Sequence, residues 1–296
     1  MAVAPARRRT LDGPLLVALL VMLIWALNAV GVKWAIGQWQ PLLYAALRFA
    51  IGGTLFALWV LAREGSLRIA RRDLALAVAS GLVGVFVNQI GFMRATQHTT
   101  ASTVMLIMVT APAWAAIFAG LARQERVSRH HWVGIGIAGV GVALILEASA
   151  TGLDLTSLQG DLYGLVMAAT WAAYSVMMRP LVARYSAARV SAIALLTGAP
   201  FLLVAGWSEA QRQDWGAITW GGWAMLGFSA IASLVVTNVL WFDAVRRVGA
   251  ARISATLPIQ PVTGVVLAMV LLGERISPQE LLGGAIAIVG VLWTQR

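Results

Sequence analysis

Residues 125–142 read ERVSRHHWVGIGIAGVGV, and residues 274–291 repeat this segment as ERISPQELLGGAIAIVGV. The two segments are 149 residues apart, and over 112–144 the same shift gives eleven identities in 33 ungapped positions. The shared positions include one Pro, one Glu, one Ser and two Gly in the same order, which a restricted composition alone does not produce. The repeat predicts a chain of two related halves, residues 1–149 and 150–296.

The composition places both halves in a lipid bilayer. Apolar residues make up 60% of the 296 residues and charged residues 11%, whereas soluble proteins average roughly 25% charged residues. A bilayer core about 30 Å thick requires about 20 apolar residues per helix. Ten such runs, which we number as spans 1 to 10, lie at 13–35, 41–63, 73–95, 100–122, 130–148, 160–180, 188–208, 217–245, 250–272 and 279–295.

The number of spans in each half determines the topology. Because five is odd, the second half must cross the membrane in the opposite sense to the first. The predicted fold is therefore an all-α integral membrane protein with ten transmembrane helices, arranged as two inverted five-helix repeats.

The basic residues predict the orientation. Seventeen of them lie at one face of this topology, and four lie at the other, namely Lys33, Arg94, Arg212 and Arg275. By the positive-inside rule, both termini are cytoplasmic and the protein is multi-pass in the cell inner (plasma) membrane.

Inverted repeats are typical of secondary transporters, whose substrate site lies near the midplane between the repeats. The alternative is duplication without transport, as in a structural membrane protein or a channel, although a channel would need a polar ring repeated by oligomeric symmetry. The short basic clusters do not form a basic face, so we expect no nucleic-acid partner. The chain contains no cysteine, no cluster of His, Asp or Glu with metal-ligand spacing and no nucleophile motif. We therefore expect no enzymatic activity, no metal and no cofactor.

A set of short motifs recurs in the two halves. In the first half these are Ala101-Ser102, Pro112, Glu125 and the glycines 134, 139 and 141; in the second they are Ala250-Ala251, Pro261, Glu274, Gly283 and Gly290. This set resembles the signature of the EamA-type drug/metabolite transporter superfamily. That family's motifs in helices 1 and 2 look like Trp25-Ala26-Leu27-Asn28 with Lys33, and Leu47-Arg48-Phe49. The resemblance covers nearly the whole chain and is strongest to the YddG-type exporters of aromatic and other amino acids. It implies ten helices, cytoplasmic termini and export of small metabolites by alternating access.

Polar and aromatic side chains at membrane depth are the candidates for substrate binding, because such side chains are costly there. The set is Trp25, Asn28, Asn88, Gln89, Trp171, Tyr174, Ser175, Asn238, Trp241 and Gln260. If their helix faces converge, they form a nearly uncharged pocket that suits a flat apolar or zwitterionic solute. For each residue alone, the alternative is a role in helix packing or in the interfacial belt.

This pocket makes a small-molecule substrate the expected partner, besides membrane lipid. The leading hypothesis is export of aromatic and other neutral amino acids or related small metabolites; the alternative is export of cationic or amphiphilic drugs. Arg48 is the only basic residue at depth, which argues against sugar phosphates. It either meets a substrate carboxylate, or snorkels or pairs within the protein. The spans hold no central Asp or Glu, so we expect facilitated export or weak coupling.

The prolines predict hinges within helices, and the glycines predict close contacts between helices. Pro112, Pro258 and Pro261 are candidate hinges, which leave the carbonyls of Met108, Ser254 and Leu257 without their helical donors. Two glycine stripes predict close helix contacts, either inside a monomer or in a homodimer: Gly134, Gly136, Gly139 and Gly141 in span 5, and Gly283 and Gly290 in span 10. Ser277-Pro278-x-Glu280 is a capping box that predicts the start of span 10.

Overall fold

The structure, a computed structural model, describes residues 13–124, 128–151, 155–249, 252–253 and 256–294, without the side chains of 149–151. Within these ranges every regular element is helical. The helices are α1 (Gly13–Ala35), α2 (Pro41–Glu64), α3 (Arg71–His98), α4 (Ala101–Leu121), α5 (Arg129–Thr151), α6 (Leu155–Val182), α7 (Ala187–Arg212), α8 (Trp220–Val248), α9 (Ile259–Leu272) and α10 (Pro278–Thr294). We call the end of the bundle with the loop at 36–40 the top, and the end with the loop at 65–70 the bottom.

The predicted all-helical membrane fold with ten spans is confirmed. Helices α1 to α8 are long and apolar enough to cross a bilayer, and α9 and α10 are shorter apolar helices. The capping box at the start of α10 is present, because Ser277 N donates to Glu280 Oε2 (2.8 Å) and Glu280 N donates to Ser277 Oγ (3.1 Å). The described ranges exclude four residues of the predicted motifs and hinges, namely Glu125, Ala250, Ala251 and Ser254. They also exclude five of the seventeen basic residues at the predicted cytoplasmic face, namely Arg7, Arg8, Arg9, Arg126 and Arg296.

The spans differ from regular α-helices in two places in each half. Helix α4 is broken between Met108 and Ala111, and a turn at 256–258 precedes α9. Helices α3 and α8 each contain a π-helical segment, at Leu82–Val87 and Phe228–Val236. Under the 149-residue shift, both kinds of irregularity fall at equivalent positions of the two halves.

Glycines join α5 to α10 within one chain. A Cβ added at Gly134 would lie 2.6 Å from the Gly290 carbonyl oxygen, and one added at Gly283 would lie 2.6 Å from that of Gly141. Gly283 and Gly290 are the equivalents of Gly134 and Gly141 under the 149-residue shift, so the two contacts are the same contact with the helices exchanged. The equivalent helices α5 and α10 therefore pack antiparallel about a local twofold axis. The sequence left open whether these glycines pack inside a monomer or in a homodimer. Gly134 and Gly141 form a contact inside the monomer. Gly136 takes no part, because an added Cβ there would meet nothing within 4 Å.

Helices α2 and α7 form a second close pair, at the centre of the bundle. Gly53 faces Leu195, and Gly206 faces the backbone of Leu42. The remaining helices follow the same twofold symmetry. Helix α1 contacts α8 and α9, and its equivalent in the second half, α6, contacts α3 and α4, which are the equivalents of α8 and α9. The outer faces carry large exposed apolar side chains such as Val204 and Val270, which acyl chains would solvate.

A glycine-to-alanine pair on α5 tests this packing. In Gly141→Ala the new methyl would lie 2.6 Å from Ala287 N, so α10 must move and stability falls by about 1–3 kcal/mol. In Gly139→Ala, two residues away, the methyl meets nothing within 4 Å and gains up to about 1 kcal/mol of helix propensity. Thermal unfolding in detergent should give a lower midpoint for Gly141→Ala and an equal or higher one for Gly139→Ala. Equal midpoints for both variants would contradict the contact.

Candidate functional site

The π-helical segments of α3 and α8 each end immediately before a pair of polar residues. Asn88 and Gln89 follow the segment in α3, and Thr237 and Asn238 follow the one in α8. A π turn widens a helix and displaces backbone carbonyls from their usual donors, and such turns are frequent at functional sites. The sequence identified the polar residues, but nothing in either segment distinguishes a π turn from an α turn.

The first cluster, at the contact of α1 with α8, contains three of the candidate residues. Trp25 Nε1 donates to the carbonyl oxygen of Ser233 (3.1 Å) and to Thr237 Oγ1 (2.8 Å). The ring of Trp25 lies 5.6 Å from that of Trp241. One turn further along α1, the Asn28 amide oxygen accepts from the Ser229 hydroxyl. The indole thus satisfies a carbonyl in the π segment, which makes this face a helix-packing contact as well as a candidate binding surface.

The second cluster is the equivalent contact, between α3 and α6. Asn88 Nδ2 donates to the carbonyl oxygen of Met167 (2.9 Å) and to Thr170 Oγ1 (3.2 Å). The ring of Tyr174 lies 5.7 Å from that of Trp171. The Tyr174 ring also lies against Gly84, where a Cβ would be too close to it.

The other candidates lie beside these two clusters. Ser175 Oγ donates to the Trp171 carbonyl, and Asn238 Nδ2 donates to the Leu234 carbonyl, so each bonds its own helix. Gln260, in the first turn of α9, is half-buried. Within the described chain, no hydrogen bond or ring contact of the candidate residues links the two clusters.

Gln89 and Trp171 each present a group that a ligand could contact. Gln89 Nε2 donates to Asn88 Oδ1 (3.2 Å), but its buried Oε1 has no hydrogen-bond partner among the described residues. Trp171 lies in the middle of α6 and is 39% exposed. An amide oxygen and an indole face are the kinds of group that a zwitterionic or aromatic solute can use.

Three further polar residues belong to this region and were not in the sequence-based set. Tyr44 donates from its hydroxyl to the Met225 carbonyl (3.1 Å), which ties α2 to α8. Ser229 bonds Asn28, and Arg48 is buried one turn after Tyr44. Arg48 was recognised in the sequence as the basic residue at depth; Ser229 has no signal beyond its place in a π segment that the sequence does not reveal.

The breaks in α4 and before α9 surround the candidate hinge prolines. In α4 the hydrogen bonds change to i→i−3, with Val109 N donating to Leu106 O (3.3 Å) and Thr110 N to Ile107 O (3.0 Å). Pro112 lies in the first turn after this break.

Before α9 the corresponding turn ends at Pro258, which is the N-cap, and Pro261 is buried in the helix that follows. The expectation that Pro261 leaves the Leu257 carbonyl free is wrong. Because the turn is tight, Gln260 N donates to that carbonyl at 3.2 Å.

The signature residues in α4 and in the loop after α9 contact one another across the two halves. Glu274 accepts from Ala101 N (2.8 Å), Ser102 N (2.9 Å) and Ser102 Oγ (2.6 Å), so it caps the top of α4. The first amides of a helix have no intrahelical partner and favour a negative charge, which this carboxylate supplies. The residues at the equivalent positions, Glu125, Ala250 and Ala251, lie outside the described residues.

Other ties close the top of the bundle. Glu209, at the end of α7, accepts from Leu42 N (2.6 Å) at the start of α2 and pairs with Arg94 (3.0 Å). Lys33 donates to the carbonyls of Thr96 (2.6 Å) and Thr99 (2.7 Å) at the end of α3.

The bottom carries comparable ties. Asp73 pairs with Arg184 (2.5 Å), and Glu64 pairs with Arg189 (3.0 Å). Helix ends from both halves are therefore held together by charged side chains at both faces of the bundle.

Ten apolar helices in two inverted units, with polar contacts inside and charged ties at the ends, define a multi-pass membrane protein of the transporter class. Residues 13–147 and 158–295 each match the EamA-like transporter family, and the chain belongs to that family. The resemblance of the signature motifs is confirmed.

Curated relatives and a solved structure agree with this assignment. The chain is 26% identical to an uncharacterized transporter of Archaeoglobus fulgidus, over 93% of this chain and 96% of that protein. It is 26% identical to a probable terminal-alkyne amino-acid exporter of Streptantibioticus cattleyicolor (92% and 93% covered) and to a probable amino-acid metabolite efflux pump of Salmonella typhimurium (93% and 92%). A crystal structure with 20% identity has a TM-score of 0.63 and covers 96% of this chain and 98% of that chain, which shows the fold.

The helix breaks predict a kinetic effect of the prolines. We propose that Pro112 and Pro261 act as hinges, because alanine restores the missing backbone donor and favours a continuous helix. Pro112→Ala and Pro261→Ala should each lower the transport rate in proteoliposomes roughly fivefold, the effect of about 1 kcal/mol on a barrier. Pro200→Ala is the matched control, since Pro200 lies exposed in the unbroken helix α7 and its loss should leave the rate unchanged. Wild-type rates in both hinge variants at equal reconstitution would contradict the proposal.

Proposed function

We propose that this transporter exports amino acids, the aromatic and other neutral ones foremost, or related small metabolites, by alternating access. The observation that carries the proposal is the pair of equivalent clusters beside the π segments, built from indole rings, amides and hydroxyls. Such groups stack on a flat ring and hydrogen-bond a polar end. The ten candidate residues named from the sequence remain our proposed substrate-binding set, with Arg48, Tyr44 and Ser229 added.

The names of two relatives support the same substrate class. One is called a probable terminal-alkyne amino-acid exporter and the other a probable amino-acid metabolite efflux pump. The near absence of charge in the two clusters argues in the same direction, because a phosphorylated substrate would need several cations at this depth.

The charged ties supply two places where alternating access can act. For the solute to leave, the contacts of Glu274 and Glu209 at the top must open while those of Asp73 and Glu64 at the bottom hold, and the reverse must occur for loading. We propose that the bottom is cytoplasmic, because it carries most of the arginines. Both termini then lie in the cytoplasm and the membrane is the cell inner membrane.

Efflux from proteoliposomes tests the substrate class. Radiolabelled Phe, Trp and Thr should leave loaded vesicles with saturable, mutually competing kinetics, and a cationic drug should not compete. Trp171→Ala should weaken competition between Phe and Trp severalfold, because the mutation removes an exposed ring in the second cluster. Trp220→Ala is the control, since Trp220 is 84% exposed at the start of α8 and its loss should change nothing.

Each other result in that assay has a definite meaning. Efflux of the drug alone supports the drug-export alternative and refutes amino-acid export. Linear, non-saturating flux would indicate a channel.

Labelling of introduced cysteines tests the orientation, and the natural absence of cysteine makes the chain a suitable background. In intact cells, a membrane-impermeant maleimide should react with Trp215→Cys, in the loop at 213–219, and not with Arg68→Cys, in the loop at 65–70. Both positions are at least partly accessible at their loop surfaces. Disrupted cells, in which both variants should react, provide the control. The opposite labelling in intact cells would reverse the proposed orientation.

A further inference from the structure

Within the part of the chain that the structure describes, Arg48 is a buried cation without a counter-ion. The residue is 7% exposed, and its Nε and Nη1 atoms are buried without a hydrogen-bond partner. Among the described residues, no carboxylate pairs with its guanidinium. The guanidinium lies over the ring of the neighbouring Phe49, whose centroid is 4.9 Å from Cζ.

Neither of the purely structural roles open to a membrane arginine fits this geometry. Arg48 is seven residues inside α2, so at 1.5 Å per residue it lies about 10 Å below the top of that helix. A snorkelling arginine would extend its charge into water, whereas this one is enclosed. A buried charge without a partner strongly destabilises a folded protein, so this side chain is unfavourable unless an anion pairs with it.

Arg48 is connected to the first cluster through Tyr44 and helix α8. Tyr44 lies one turn before Arg48 on the same face of α2, and its hydroxyl donates to the Met225 carbonyl of α8 (3.1 Å). Ser229, about one turn further along α8, donates to the amide oxygen of Asn28 in α1. The unpaired guanidinium and the first cluster therefore lie on helices that these polar contacts join.

We infer that Arg48 forms a carboxylate-binding subsite, in which the substrate's carboxylate supplies the missing counter-ion. Two guanidinium N–H groups can bind one carboxylate with paired, charge-assisted hydrogen bonds. Hydroxyls such as those of Tyr44 and Ser229 can reorient to donate to the same anion. The inference rests on the proposed export of amino acids and specifies the substrate group that this part of the protein recognises.

Three ligands with the same ring separate the chemistry. L-Phenylalanine carries both charged groups, L-phenylalaninamide lacks the carboxylate, and 3-phenylpropionate lacks the ammonium group. In wild-type protein in detergent, phenylalanine and phenylpropionate should raise the unfolding midpoint at concentrations about tenfold or more below that needed for the amide. Equal potency of the amide and the acids would overturn the inference, without any need for a variant.

The variants test the residue. Arg48→Gln should abolish the preference for the acids, so that all three ligands act as weakly as the amide. Arg48→Lys should keep part of the preference, because a charge remains without the paired geometry. Arg63→Gln, an exposed position on the same helix, should keep it in full. A folded Arg48→Gln protein that still prefers the acids would overturn the assignment, and if that variant does not fold, the wild-type comparison decides.

The outcomes also separate this inference from the proposed function. Stabilisation by phenylpropionate but not by phenylalanine, with no amino-acid efflux, would refute amino-acid export and support a carboxylate subsite for other organic acids. Amino-acid efflux without any preference for the carboxylate would support amino-acid export and refute the carboxylate subsite at Arg48.

Discussion

Every backbone N–H and C=O group in this fold must find a partner inside the protein, because hydrocarbon offers none. Regular helices meet this demand along most of each span, so the demand becomes critical only where helices end, break or widen. At those points side chains from the other half of the chain supply the missing partners: Glu274 caps α4, Glu209 caps α2, and Trp25 reaches a carbonyl in the π segment of α8. The irregular backbone and the contacts between the halves therefore depend on each other.

The inverted symmetry places each π segment against a helix of the opposite half, which bears on how the two halves can move. The π segments lie in equivalent helices, and each is stabilised by a neighbouring helix of the opposite half: α1 contacts the segment in α8, and α6 contacts the one in α3. The two contacts differ in composition, since an indole and a hydroxyl serve the first and an amide serves the second. Because the α1–α8 and α3–α6 contacts are equivalent in position but differ in their hydrogen bonds, one contact can open while the other stays closed, as alternating access requires.

Hydropathy and repeat analysis predicted the helices well because they depend on long segments. Most span boundaries lie within five residues of the observed ones, but α9 begins at Ile259, nine residues after the predicted start of span 9, because a turn at 256–258 precedes it. The box at Ser277 and Glu280 could be predicted because its geometry is local. The sequence also identified glycines of the contact between α5 and α10, but it left open whether they pack within one chain or between two. Gly136 and Gly139 take no part in the contact within the chain, since spacing alone does not show which face of a helix is covered. Gly139, like Gly136, has nothing within 4 Å of an added Cβ.

The site was less predictable, because it depends on which group each polar side chain finds. Asn28 and Trp25 were recognised as a shared face, but their partners Ser229 and Thr237 lie more than 200 residues away. The π segments carry no distinctive residues, and the isolation of Arg48 is a property of its surroundings. Such features require the packed structure.

The carboxylate cap on α4 also has a consequence for biogenesis. Glu274 is 172 residues beyond Ser102 in the chain, so at 5–20 residues per second the ribosome makes it roughly ten to thirty seconds later. During that interval the first amides of α4 enter the membrane without their acceptor, and the earlier half can reach its final register only when the later half arrives. A truncated product ending near residue 149 would thus expose an uncapped helix end to lipid, which makes it a natural target for membrane quality-control proteases.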